Sequence, residues 1–249
     1  MSRISRLLLA LSVLIVFGFA APTGFAEPIV IGSNVSANEY PVGSKDTGIG
    51  KYQPGAIYQQ IYSRTRFSGS VTITQIAFAS MNRLGTTPGG DVTENLIISL
   101  GTAAATSLDA TSATFASNRG GPLTEVFSGR LVSTPALDGT FDLVFNLTNP
   151  FTYNPANGDL LLEMTTILST TYTGGLLVFE AGFSSDVRRV SNPFASPSGT
   201  VLNYGLRTQF TSGPTAVPEP ATMLLLGTGL AGIGVAARKR RNSGSGNST

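Results

Sequence analysis

The amino-acid sequence predicts an all-β protein body, folded as a jelly-roll-like β-sandwich and flanked by an N-terminal signal peptide and a single C-terminal transmembrane helix. Three observations lead to this fold class. Apolar and polar residues alternate with a period of two, and no long stretch has the 3.6-residue period of a helix. Clusters of glycine, proline, asparagine and aspartate separate the alternating stretches. An apolar segment lies near each end of the 249-residue chain.

Residues 1–26 have the layout of a secretory signal peptide. Two arginines precede an apolar run over residues 7–19. Gly24 and Ala26 are small residues at the positions that signal peptidase reads, so we predict cleavage after Ala26, with Ala20 as a second candidate position. The alternative is an N-terminal membrane anchor that is never cut.

Residues 27–210 form the predicted body, and residues 211–217 link it to the C-terminal segment. The clearest strand covers residues 140–148, whose alternation is typical of a sheet with one face on a core and the other in water. Residues 201–210 alternate in the same way and are predicted to form a second long strand. The other predicted strands are one within residues 27–55 and residues 56–63, 70–80, 94–101, 123–132, 158–168 and 175–183. A change of phase within 70–80 predicts a bulge near Thr74.

The charge of the body differs from that of the whole chain. The chain has a net charge of +2, but between Glu27 and Pro220 there are 10 lysines and arginines against 14 aspartates and glutamates, a net charge of −4. Nucleic-acid binding needs a basic surface that neutralises phosphates, so we predict no nucleic-acid partner.

Three residue types are missing from the sequence, namely cysteine, histidine and tryptophan. Without cysteine the fold has no disulfides, and without cysteine and histidine the usual ligands of zinc, copper and iron–sulfur clusters are absent. The absence of histidine also excludes Ser-His and Cys-His nucleophile arrangements. We therefore predict no cofactor and a non-enzymatic protein.

The C-terminal segment has three parts in order. They are an acidic motif between prolines, an apolar run and a basic cluster: Pro218, Glu219 and Pro220, then residues 221–237, then Arg238, Lys239, Arg240 and Arg241. The apolar run would form a helix about 25 Å long, near the short limit for a hydrocarbon core about 30 Å thick. The basic cluster predicts a cytoplasmic C-terminus, with the body on the opposite side of the membrane. A plain single-pass anchor is the alternative.

This segment resembles the PEP-CTERM sorting signal of Gram-negative bacteria, in which a Pro-Glu-Pro motif precedes a glycine-containing transmembrane helix and a basic cluster. The resemblance covers residues 217–241, and Pro218, Glu219 and Pro220 match the motif residue by residue. It implies processing by the membrane peptidase exosortase and an association with exopolysaccharide and biofilm. The polar tail, residues 242–249, continues beyond the basic cluster, where such chains often stop.

The body itself resembles, through diffuse patterns, the extracellular β-sandwich found in many PEP-CTERM proteins. The similar segments are residues 58–62, 73–78, 97–100, 118–121, 150–153 and 158–162. This resemblance covers most of residues 50–183 and implies a fold, because those domains mostly have no assigned activity.

Tyr58 and Tyr62 fall on the same face of a predicted strand. One hypothesis is an exposed platform on which sugar rings stack. The alternative is packing inside the core or between strands, which the β propensity of tyrosine favours. The absence of tryptophan further weakens the hypothesis of a sugar platform.

Carboxylates supply the remaining candidates for chemistry. Secreted β-sandwiches often bind Ca²⁺ through oxygen ligands, and four acidic residues are candidates for such a site: Asp138, Asp142, Asp159 and Glu163. Turn formation explains Asp138 and Asp159 equally well, because each adjoins a glycine. Glycoside hydrolysis needs two carboxyl groups flanking one bond, and the sequence marks no such pair. We therefore predict no metal site and no catalytic residue.

We assign no function to two further motifs. Arg188 and Arg189 are predicted to lie in a solvated loop. Asn34 and Asn146 begin Asn-X-Ser/Thr glycosylation sequons, which the bacterial setting makes chance matches.

The sequence as a whole predicts an exported, non-enzymatic surface or extracellular-matrix protein, with extracellular polysaccharide as a possible partner. Signal peptidase and exosortase are its expected processing enzymes. Before processing we expect an inner-membrane anchor with a periplasmic body, and afterwards a location at the cell surface or in the matrix. Two alternatives stay open: a carbohydrate-active hydrolase with a carboxylate pair, and a surface binding protein that remains anchored permanently.

Overall fold

The computed structural model describes residues 27–33, 37–39, 55–79, 94–131, 140–169, 179–192 and 194–213. Within these ranges every regular element is a β-strand or a short 3-10 helix, which confirms the all-β prediction for the body. The chain divides into two compact units, Met1–Gly213 and Pro214–Thr249, and the second lies outside the described residues.

Thirteen strands lie within the described ranges. In chain order they are β1 Ile29–Ile31, β2 Ala37–Glu39, β3 Ile57–Tyr62, β4 Val71–Phe78, β5 Glu94–Thr102, β6 Thr124–Leu131, β7 Leu143–Tyr153, β8 Leu160–Ser169, β9 Phe179–Phe183, β10 Val187–Asn192, β11 Thr200–Leu202, β12 Tyr204–Leu206 and β13 Thr208–Ser212. The 3-10 helices are Arg64–Arg66, Leu108–Ala110, Phe115–Asn118 and Pro155–Asn157.

The strands pair antiparallel in three sheets. A four-stranded sheet has the order β1-β13-β4-β7, a six-stranded sheet the order β11-β10-β3-β8-β5-β6, and a three-stranded sheet the order β12-β9-β2. The first and last strands are neighbours, since Ile29 pairs with Phe210 and Ile31 with Thr208. Glu27 and Gly213 therefore leave the body at the same end of the four-stranded sheet.

The inward side chains of the three sheets form one buried cluster. Tyr62 of the six-stranded sheet meets Phe210 of the four-stranded sheet edge to face, with ring centroids 5.0 Å apart. Phe78 of β4 and Phe179 of β9 lie 5.9 Å apart in a similar geometry. The core therefore lies between the sheets and draws side chains from all of them.

Two local predictions are confirmed. Leu143 and Phe145 are buried while Val144 between them is 44% exposed, as the alternation over residues 140–148 predicts. The strand begins at Leu143 and continues to Tyr153. Against β13, Ile73 pairs with Ser212 and Gln75 with Thr211, so Thr74 is the extra residue of the predicted bulge.

The prediction of one long strand over residues 201–210 is wrong. This stretch forms β11, β12 and β13, and each strand belongs to a different sheet. The chain changes sheet at Asn203 and again at Arg207, whose backbone N–H donates to the Glu180 carbonyl. β12 and β13 keep the predicted alternation, with Tyr204, Leu206 and Phe210 buried, whereas Leu202 of β11 is 39% exposed at the edge of the six-stranded sheet. β13 extends to Ser212, two residues into the predicted linker.

Candidate functional site

The predicted sorting residues lie outside the part of the chain that the structure describes. They are Ala26, Pro218, Glu219, Pro220, Arg238, Lys239, Arg240 and Arg241. The predicted transmembrane helix, residues 221–237, lies outside it as well. Among the described residues, none belongs to a helix with the length and hydropathy needed to cross a membrane.

Tyr58 and Tyr62 are core residues of the central strand β3. The Tyr58 hydroxyl donates to Gln60 Oε1 at 2.6 Å, and the Tyr62 hydroxyl shares a hydrogen bond of 2.8 Å with Thr208 Oγ1. Burial raises the pKa of Tyr62. The packing interpretation is confirmed, and the sugar-stacking hypothesis is wrong for this pair because neither ring reaches solvent.

Gln60 connects the six-stranded sheet to β12 from inside the core. Its Nε2 donates to the Leu206 carbonyl at 2.9 Å, and its Oε1 accepts from the Leu206 N–H at 2.8 Å. A buried amide needs such partners, since an unpaired polar group in a core costs about 1–3 kcal/mol. This network therefore holds the sheets in register.

The three described acidic residues that were candidates for a Ca²⁺ site, Asp142, Asp159 and Glu163, do not come together in one group. Asp159 Oδ1 accepts from the Arg64 backbone N–H at 2.9 Å, whereas Glu163 pairs with Arg119. Within the described ranges no group of three or more acidic residues has a geometry that would hold a metal ion, and Asp142 joins none. Asp138 lies outside these ranges.

Glu163 belongs to a buried polar network on the outer face of the six-stranded sheet. Its Oε1 accepts from Arg119 Nη2 at 2.7 Å, and its Oε2 accepts from Arg119 Nε at 2.9 Å and from Gln59 Nε2 at 2.7 Å. Asn118 Nδ2 donates to Gln59 Oε1 at 3.0 Å. Charge-assisted bonds of this kind are about twice as strong as neutral ones, so the network fixes the segment that carries Arg119.

That segment covers the outer face of the six-stranded sheet. Ala103, with Leu108 and Leu123 beside it, packs on Ile61 of β3 and Leu161 of β8. β3 and β8 are therefore buried on both faces, and this side of the six-stranded sheet is closed to solvent at its centre.

The predicted solvated loop at Arg188 and Arg189 is instead β10, paired between β3 and β11. Arg188 donates to Asp109 of the covering segment. Arg189 is 8% exposed and lies over the Tyr204 ring, with its guanidinium carbon 5.3 Å from the ring centroid. Burial lowers the pKa of Arg189 to about 10. The loop prediction is wrong because long arginine stems can be buried along a sheet, which two adjacent charges do not reveal.

The outer face of the four-stranded sheet is a contrasting surface, which we call the open face. Phe210, Ile76 and Phe145 pair in one row across β13, β4 and β7 and point into the core. Residues next to them in each strand point outward, because side chains alternate along a strand. The open face comprises Val30, Thr72, Thr74, Gln75, Ala77, Val144, Asn146, Thr152, Gln209 and Thr211, and Ala77 in its middle is only 1% exposed.

Cross-strand hydrogen bonds run across the open face. Gln75 Nε2 donates to Asn146 Oδ1 at 2.8 Å, and Thr211 Oγ1 donates to Gln75 Oε1 at 3.3 Å. The hydroxyls of Thr72 and Thr152 share a bond of 3.1 Å. Asn146 and Thr152 are exposed, so the polar groups lie at the surface.

Sequence reasoning did not find the open face. The alternation around Asn146 places that residue opposite the core side, but nothing in one strand shows which neighbours lie beside it. The bulge at Thr74 lets Thr72 and Gln75 share a face although they are three residues apart. The sequon at Asn34 lies outside the described residues, and the sequon at Asn146 lies on the open face.

Comparison with known proteins gives one match. The family model of the PEP-CTERM protein-sorting motif matches residues 216–241. The predicted sorting signal is therefore confirmed, and the chain carries the motif of an exosortase substrate. No curated protein and no solved structure matches the chain.

Proposed function

We propose that this chain, which carries a PEP-CTERM protein-sorting motif, is a surface or extracellular-matrix protein that works without catalysis in the exopolysaccharide of a biofilm. The observation that carries the proposal is the motif at residues 216–241, which implies export and a sorting signal held in the membrane. Exosortase is the processing enzyme that the motif implies.

The proposed topology has three stages. Signal peptidase cuts after Ala26, residues 221–237 then hold the chain in the inner membrane with a cytoplasmic basic cluster, and exosortase finally releases the body to the surface or matrix. The strand limits support this order, since β1 starts at Ile29 and β13 ends at Ser212. Cuts after Ala26 and near Pro218 would leave every described strand intact.

The proposed body is a jelly-roll-like β-sandwich that acts by non-covalent binding. The core shared between the sheets supports the sandwich. The state of the buried carboxylates supports a non-catalytic role. Glu163 pairs with Arg119 and Glu180 with Arg207, at 2.7 and 2.8 Å, while Asp159 accepts a backbone N–H. These contacts stabilise the fold and leave little capacity for acid–base chemistry.

The test is the intact mass of the protein recovered from cells that have exosortase. We expect an N-terminus at Glu27 and loss of the residues that follow the motif. A Pro218→Ala/Pro220→Ala variant should keep its C-terminal helix and stay in the membrane fraction, whereas the control Ser243→Ala, beyond the basic cluster, should be processed normally.

Two outcomes contradict the proposal. Retention of residues 221–237 by the unaltered chain would show a permanent anchor. Release of reducing sugar from polysaccharide by the purified chain would favour the hydrolase.

A further inference from the structure

We propose that Asn157 is a site of spontaneous covalent modification, at which the backbone nitrogen of Gly158 displaces ammonia from the side-chain amide. The two residues lie in the turn that joins β7 of the four-stranded sheet to β8 of the six-stranded sheet. Asn157 is the only asparagine of the 249-residue sequence that a glycine follows. This inference goes beyond the proposed function and does not depend on it.

The reaction is a ring closure followed by hydrolysis. A bond forms between the Gly158 nitrogen and Cγ of Asn157, the bond from Cγ to Nδ2 breaks, and ammonia leaves with the proton of the Gly158 N–H. Water then adds to one of the two carbonyl carbons of the resulting succinimide. Opening of the ring leaves either aspartate or isoaspartate at position 157, and in isoaspartate the main chain runs through Cγ. Either product adds one negative charge to the turn, as other covalent modifications of proteins do.

The reacting groups of this turn are accessible and weakly held. Asn157 is exposed, and within the described part of the chain its side-chain amide has no hydrogen-bond partner. The Gly158 N–H donates to the Pro155 carbonyl at 3.4 Å, beyond the usual range of about 2.7–3.2 Å. Glycine has no Cβ, so no side chain of its own shields this nitrogen from the Asn157 amide.

Ring closure requires rotation of the Asn157 backbone, and the local structure allows this rotation. Asn157 ends a 3-10 helix of three residues, Pro155–Asn157. Such helices have poor hydrogen-bond geometry, and an exposed turn of this kind opens without unfolding of the body. Gly158 follows with φ 129°, and glycine rotates between positive and negative φ at little cost. Water reaches the site in the second step because the turn lies at the surface.

The other asparagines of the described body lack this combination of features. Asn149, Asn154 and Asn192 each precede a proline, whose ring nitrogen carries no proton to lose. Asn118 is buried, and hydrogen bonds to Gln59 and to the backbone of Ser112 hold both ends of its amide. Asn154 is therefore an internal control, since it is exposed in the same turn.

Modification would disturb the contacts that anchor the turn. The hydroxyl of the buried Tyr153 donates to the Gly158 carbonyl at 2.6 Å, and Asp159 accepts from the Arg64 backbone N–H at 2.9 Å. The extra main-chain carbon of isoaspartate shifts Gly158 away from Tyr153. The new carboxylate also lies two residues from Asp159, which is only 6% exposed. We therefore expect the modified chain to be less stable than the freshly purified one.

The experiment is timed incubation of the full chain, purified in a non-ionic detergent, in water that carries a heavy oxygen isotope. Peptide mass mapping with electron-transfer fragmentation then distinguishes aspartate from isoaspartate, and the isotope marks conversion that took place during the incubation. We expect both products at position 157, each with one labelled oxygen, while Asn154 stays unchanged. The rate should rise about tenfold per pH unit above neutrality, because the deprotonated fraction of a very weak acid grows in proportion to hydroxide.

Asn157→Gln is the matched variant. It keeps an exposed primary amide at the same position, but attack by the Gly158 nitrogen would have to close a ring one atom larger. We expect this variant to resist conversion and to keep its urea unfolding midpoint through the incubation, whereas the midpoint of the unaltered chain should fall.

Three results would overturn the inference: no labelled product at position 157, labelled aspartate without isoaspartate, or an equal fall of the urea midpoint in the unaltered chain and in the Asn157→Gln variant. The second result would show direct hydrolysis of the side chain without attack by the Gly158 nitrogen.

Discussion

Replacing Glu163 with glutamine tests whether the network on the six-stranded sheet holds the covering segment in place. The carboxylate accepts two bonds from Arg119 and one from Gln59, all between 2.7 and 2.9 Å. Glutamine has nearly the same shape, so the substitution leaves no cavity. It turns one acceptor oxygen into a donor that faces other donors, and it removes the negative charge beside Arg119.

The expected cost follows from the exposure of the two partners. Removing one member of a fully buried ion pair costs about 3–5 kcal/mol. The Glu163 side chain is 9% exposed but that of Arg119 is 34% exposed, so water can solvate part of the guanidinium after the change. We therefore expect Glu163→Gln to lower the free energy of unfolding by about 2–3 kcal/mol. With a urea dependence of about 2 kcal/mol per molar, the unfolding midpoint should fall by about 1–1.5 M.

The assay is equilibrium urea unfolding of the purified chain, followed by far-ultraviolet circular dichroism. Glu125→Gln is the matched control, since Glu125 is exposed on β6 and its loss should change stability by less than about 0.5 kcal/mol. The single variant Arg119→Gln should also be less stable than the unaltered chain. In the double variant the two losses of stability should be less than additive, with a coupling energy of about 1–2 kcal/mol. Equal midpoints for the Glu163 and Glu125 variants, or additive single effects, would refute the role assigned to this network.

Two further predictions concern the core and one turn. Tyr62→Phe should cost about 1 kcal/mol near neutral pH, through its lost bond to Thr208. Because burial raises the pKa of Tyr62, the phenol contributes stability that is present below its ordinary pKa of about 10 and declines above it. As the pH is raised from about 9 to 11, the urea midpoint should therefore fall less steeply for Tyr62→Phe than for the unaltered chain. The same pH dependence for both chains would contradict this. Gly120→Ala should cost about 1–3 kcal/mol, as overpacking does. Its new Cβ would lie 2.8 Å from the Thr102 carbonyl oxygen, whereas a Cβ on Gly121 would meet no atom within 4 Å. Thermal melts that fail to separate the two alanine variants would contradict this geometry.

Much of the strand structure could be predicted from local pattern. The alternation around Phe145 and the phase change at Thr74 each depend on a few consecutive residues, so the sequence shows them directly. The three short strands within residues 201–212 could not be separated in this way. The alternation of buried residues continues from Tyr204 to Phe210 while the hydrogen-bond partners change from β9 to β4, whereas Leu202 of β11, which pairs with β10, is exposed.

The burial of charged residues could not be predicted from local sequence either. Arg189 and Glu163 each look like solvent-facing residues in a sequence, because charged side chains are rarely buried without partners. Their partners are distant in the chain, 44 residues away for Glu163, and become neighbours only when the sheet forms. No local window contains that information.

The sequence by itself determined the sorting motif of this protein and the side-chain types that the chain lacks. The sorting motif around Glu219 is one contiguous segment, so it can be recognised without knowing the fold. The chain lacks histidine and cysteine whatever fold it adopts. Only the tertiary structure decided which polar residues are buried and which form a surface. Gln59 and Gln75 are both strand glutamines, yet one lies in a closed network and the other on the open face. The difference arises because burial depends on which elements pack over a strand, and those elements come from remote parts of the chain.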